Sequence, residues 1–140
     1  MKSNRAFTMV ELMVVVLIVG ILAAVAVPLM SGRVDGSKWS EGKAAMGTIA
    51  SAVRAYAAEK GKSGVKAEPT WGDLGIAASE LDGTYFLTAC YKVSGVSVSD
   101  AGVLNFTITC DPALGRNTAP KKPAKMTLTG NGSGQVFEEG

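Results

Sequence analysis

Three features of the 140-residue sequence predict an α+β fold, a long N-terminal helix followed by three or four antiparallel strands. Residues 12–30 are nineteen consecutive residues without a charge or a strongly polar side chain. Beyond them the apolar residues return at helical spacing, and past residue 84 they alternate with polar ones at the period of a half-buried strand. Each element has one apolar face, so the sheet is expected to pack on the amphipathic half of the helix.

The helix begins in the apolar run. At the helical rise, nineteen residues reach about 28 Å, close to the hydrocarbon thickness of a bilayer. After Pro28, the residues Trp39, Met46, Ile49, Val53 and Tyr56 recur on one face, with Ala45, Ala50 and Ala57 in the same arc. This stripe reads as a core face. Ser40, Glu41, Lys43, Thr48, Ser51, Arg54 and Glu59 are expected opposite it, in solvent. Gly32, Gly36, Gly42 and Gly47 each weaken the helix by roughly 1 kcal/mol relative to Ala, so tertiary packing must hold it. Gly61, following Glu59 and Lys60, is the expected stop.

Residues 61–70 form a polar loop, and residues 71–74 and 80–83 read as short turns closing on the core. Strands are expected over residues 85–93 and 103–110, joined by a loop and antiparallel. Residues 111–123, with three prolines, form a loop. A last hairpin pairs residues 125–129 with 135–137 about Asn131-Gly132.

Glu11 stands at the head of the apolar run, where a carboxylate is costly and marks function. Lys2 and Arg5 precede it in a polar leader, MKSNRA. A secretory signal cut after Ala26, or a plain anchor oriented by its basic end, accounts for the charges and the apolar run. Neither uses Glu11. The run Arg5-Ala6-Phe7-Thr8-Met9-Val10-Glu11-Leu12, continued by a helix containing Gly20 and Pro28, resembles the type IV prepilin (class III) signal. The resemblance implies cleavage between Ala6 and Phe7, N-methylation of Phe7 and retention of the apolar helix, with Glu11 as the fifth mature residue. Ala6 departs from the Gly preferred in the family but keeps the small size. It further implies the pilin fold and three regions: leader 1–6, transmembrane and assembly helix 7–30, and globular head 31–140 with its helix reaching about residue 60.

Composition narrows the chemistry. The 14 basic and 12 acidic residues give +2, and loss of Lys2 and Arg5 with the leader leaves a formally neutral chain with no basic field for nucleic acid. There is no His, which removes Ser-His-Asp and Cys-His nucleophiles and His-based zinc sites. The glycines at 130–134 lack the Lys and following helix of a phosphate loop. No cofactor or enzymatic activity is expected. Cys90 and Cys110 are expected to form a disulfide in an oxidising compartment, closing a loop that contributes roughly 3 kcal/mol; two buried free thiols are the alternative. The strand parity is awkward for the bond, because Cys110 shares the apolar face of its strand and Cys90 the polar one.

The resemblance therefore implies a structural subunit that polymerises into a helical homo-oligomeric filament. Its expected partners are the prepilin peptidase, the inner-membrane assembly platform and, before assembly, the membrane. It would reside in the inner membrane as precursor and in a periplasmic or extracellular filament once assembled. Glu11, Gly20 and Pro28 are the expected assembly residues, Gly20 and Pro28 by weakening the helix between them. A type II secretion pseudopilin, and a soluble binding domain secreted after cleavage at Ala26, are the rival readings.

Overall fold

The structure, a computed structural model, describes residues 7–131 and 134–140. The leader residues through Ala6, and Gly132 of the expected hairpin turn, lie outside the described residues. Contacts divide the chain into two units, Met1–Val34 and Asp35–Gly140. One helix, α1 (Met9–Gly64), passes through both.

In the first unit every described residue is exposed. Leu12, Val16, Leu17, Val19 and Leu22 all stand more than half exposed, the reverse of a soluble helix's burial. An 18-residue window of α1 reaches a mean hydropathy of 3.0, and α1 is long and apolar enough to cross a membrane. Pro28 lies within the helix without ending it, and Ser31 Oγ donates to the Pro28 carbonyl at 2.9 Å.

The second unit holds the core. Trp39, Met46, Ile49, Ala50, Val53, Tyr56 and Ala57 are buried along α1, as the helical spacing requires. Gly61 adopts φ 63 and ψ −176, breaking the helical geometry where a glycine stop is expected; one short turn follows to Gly64. The sheet is a four-stranded antiparallel meander in the order β1 (Tyr91–Val98), β2 (Leu104–Cys110), β3 (Met126–Asn131), β4 (Gly134–Glu139). Phe106, Ile108, Cys110, Met126 and Leu128 project from its inner face into the core. Trp39 packs on Phe86 with ring centroids 5.0 Å apart. A Cβ on Gly42 would meet that Phe86 ring at 3.0 Å, so this helical glycine is explained by packing.

Three expectations need correction: both ends of the first strand and the placing of Glu41 in solvent. The first strand does not start at residue 85. Glu41, expected in solvent, is half-buried, and its Oε1 accepts from the N–H groups of Tyr85 and Phe86 at 2.8 and 3.0 Å. Asp82 Oδ1 accepts from Thr88 N at 2.8 Å. Side-chain carboxylates thus take the donors that a neighbouring strand would have taken, and residues 88–90 form a 3-10 turn instead. At its other end β1 runs on to Val98, through a bulge at Gly95 (φ 65) between Ser94 and Ser97. The bulge shifts the alternation by one residue, so Val93 and Val96 are both buried.

Candidate functional site

The chain begins its helix with a reciprocal cap. Thr8 Oγ1 accepts from Glu11 N at 3.3 Å, while Glu11 Oε2 accepts from Thr8 N at 2.9 Å and from Thr8 Oγ1 at 2.8 Å. This is a capping box: two backbone donors at the helix start are satisfied by two side chains three residues apart. The carboxylate also sits in the first turn, where the helix dipole favours negative charge. The sequence reading assigned Glu11 to function and missed Thr8. The signal was present as Thr8-x-x-Glu11 directly before an apolar run.

The structure thus brings Phe7, Thr8 and Glu11 together at the head of α1, with Phe7 exposed and just outside the helix. Gly20 and Pro28 follow along the same helix, and a Cβ on Gly20 would meet nothing within 4 Å. Met9, Leu12, Met13, Val16 and Leu17 line an apolar surface hollow on one face of the helix. An uncovered helix of this composition is stable only against lipid tails or other apolar helices.

Cys90 and Cys110 belong to the other unit. Both are buried, and both are free thiols in the structure. The strand register sets Tyr91 opposite Cys110, which places Cys90 one residue beyond the end of the ladder. Asp111 N donates to the Cys90 carbonyl at 2.8 Å and closes that end. Cys90 therefore escapes the alternation of the strand and turns into the core, which removes the parity obstacle. Burial, with Cys90 as a second cause, pushes the Cys110 thiol up to about 12; burial also raises Cys90. Both are neutral, poorly nucleophilic thiols in this state.

Among the described residues no group of three or more His, Cys, Asp or Glu is arranged to hold a metal ion.

Residues 1–27 match the family described as the prokaryotic N-terminal methylation motif. A fimbrial protein of Dichelobacter nodosus is 33% identical across 93% of this chain and 79% of its own length. The type IV major pilin protein PilA of Myxococcus xanthus is 44% identical, over 41% of this chain and 26% of its own. Type II secretion system core protein G of Pseudomonas aeruginosa is 42% identical over 39% of each chain. No solved structure matches. The apolar capped helix, the meander sheet beyond it and a fimbrial relative aligned along nearly the whole chain lead to one assignment: the chain belongs to the type IV pilin family.

Proposed function

We propose that this chain is the structural subunit of a type IV pilus-like filament, made as a membrane-held precursor and polymerised through its apolar helix. The observation that carries the reading is the helical run of residues 12–30, uncharged and wholly exposed, in a chain whose residues 1–27 match a methylation motif. In the membrane its side chains are covered by lipid; in a filament they are covered by the same helix of other copies. A pilus is favoured over a secretion pseudopilus because the fimbrial relative aligns with 93% of the chain, whereas core protein G aligns with 39%. The role is structural, not enzymatic.

Prepilin peptidase cleaves between Ala6 and Phe7, and Phe7 becomes an N-methylated amino terminus. The leader is then 1–6, the assembly helix 7–30 and the head 31–140. Glu11 of a subunit in place pairs with the amino terminus of the one arriving, which sets the axial step; buried charge of this kind contributes specificity more than stability. Gly20 and Pro28 allow the helix between them to loosen under extension. The assembly platform of the inner membrane is the partner during polymerisation, and the finished filament lies outside the cytoplasm. There Cys90 and Cys110 are oxidised to a disulfide.

Intact-mass measurement of the protein from purified filaments tests processing. A chain starting at Phe7 and carrying one added methyl is expected, and Ala6→Leu should accumulate precursor. A chain starting at Val27 or retaining the leader overturns the reading.

A further inference from the structure

The charged side chains of the 35–140 unit are almost all used inside the fold. Each has an ion-pair partner, a backbone partner or an aromatic ring, as in Lys66–Asp73, Asp35 with the loop N–H groups, and Lys43 over Phe137. Among the described residues four side chains are left without one: Lys121, Lys122, Glu138 and Glu139. All four are exposed.

They form two dyads of opposite sign on well-held backbone. Asp35 Oδ2 accepts from the N–H groups of Lys121 and Lys122, each at 3.2 Å, which fixes the basic dyad's main chain. Glu138 and Glu139 close the edge strand β4, opposite Thr127 and Met126. Lys125 and Gly140 exchange backbone hydrogen bonds, so the two segments are held near each other in one molecule, yet their charges do not pair. A helical array built from one chain needs two different surfaces of that chain to fit each other. Two lysines and two glutamates without internal partners satisfy that requirement in number and sign.

We propose that Lys121 and Lys122 of one head meet Glu138 and Glu139 of a neighbouring copy in the assembled filament. The proposal rests on the filament reading above. It gives head-to-head register a charge code, exposed and therefore sensitive to salt. The competing role for the glutamates is protection of a bare sheet edge, which lysine performs equally well.

The test uses the full-length chain in a piliated host, measuring sheared filament yield against membrane subunit level. Three variants are compared: Lys121→Glu with Lys122→Glu, Glu138→Lys with Glu139→Lys, and all four together. Each reversed dyad should reduce filaments several-fold at unchanged subunit level, and the four-residue swap should restore them. If a reversal lowers the subunit level, Gln at the same two positions is judged by the same yield. Wild-type yield from either reversed dyad, or no recovery in the swap, overturns the contact while leaving the filament reading in place. Absence of filaments from the wild-type chain overturns both.

Discussion

At the start of α1 one carboxylate has a role that is seen and a second that is proposed. In the isolated subunit Glu11 caps the helix through Thr8; in the proposed filament it meets the amino terminus of another copy. Substitution separates the roles, because Gln fills the same place in a capping box but carries no charge. Glu11→Gln should leave subunit level and membrane insertion unchanged while filaments are lost or sharply reduced, as judged by sheared yield; normal filaments would reduce Glu11 to a cap. Thr8→Ala should loosen the helix start by about 1 kcal/mol. Glycines show a similar split between internal and external causes. A Cβ on Gly130 would overlap the Phe106 ring, whereas one on Gly47 would meet nothing within 4 Å. Thermal unfolding should therefore show Gly130→Ala destabilised by about 1–3 kcal/mol. Gly47→Ala should be stabilised by about 0.5–1 kcal/mol, since only the entropic cost of glycine is removed.

Among the elements, the segments between α1 and β1 owe their shape to carboxylates more than to strand pairing. Asp73 illustrates this. It accepts from the Lys66 ammonium at 2.7 Å and from Thr70 N and Oγ1 at 2.9 and 2.8 Å, closing the turn that seats Leu74 and Ile76 in the core. Lys66 first, then Thr70, hold its carboxyl down from the ordinary 3.8 to about 2. A depressed carboxylate stabilises the fold above its unfolded value and loses that contribution as pH falls through the folded one. The 70–76 turn should accordingly loosen between about pH 4 and pH 2. Hydrogen exchange at Leu74 and Ile76, whose N–H groups bond to Thr70 and Trp71 carbonyls, reads this directly. Asp73→Asn should abolish the pH dependence in that window; unchanged acid sensitivity in the variant would assign it elsewhere.

For the molecule as a whole, the proposed disulfide bears on how firmly the 35–140 unit is held together. The β1–β2 hairpin lies between them, so a bond from Cys90 to Cys110 would join the base of that hairpin to the 3-10 turn preceding it. Non-reducing peptide mapping of the mature protein should find the two cysteines linked. Reductant should then lower head stability in urea by about 2–5 kcal/mol, and Cys110→Ser should lose this response. Two free thiols in the mapped peptide would refute the bond. While reduced, the buried positions give slow chemistry, since a neutral thiol out of solvent reacts poorly.

The sequence by itself determined whatever depends on periodicity and local chemistry. The apolar run, the Trp39–Tyr56 stripe, the glycine stop at Gly61 and the antiparallel pairing up to Cys110 follow from spacing that a helix or strand must match. The Thr8-x-x-Glu11 cap is equally legible in the sequence, being local: a hydroxyl and a carboxylate three residues apart directly before an apolar run. Tertiary structure alone decided what depends on partners distant in the chain. Glu41 reaches residues 85 and 86 from more than forty positions away, and so the expected strand begins only at Tyr91. The bulge at Gly95 inverts the facing of Val96, and the strand end frees Cys90 to enter the core. A pattern of alternation fixes which residues can share a face; which strand end, bulge or carboxylate interrupts it is settled by the neighbours that the fold brings together.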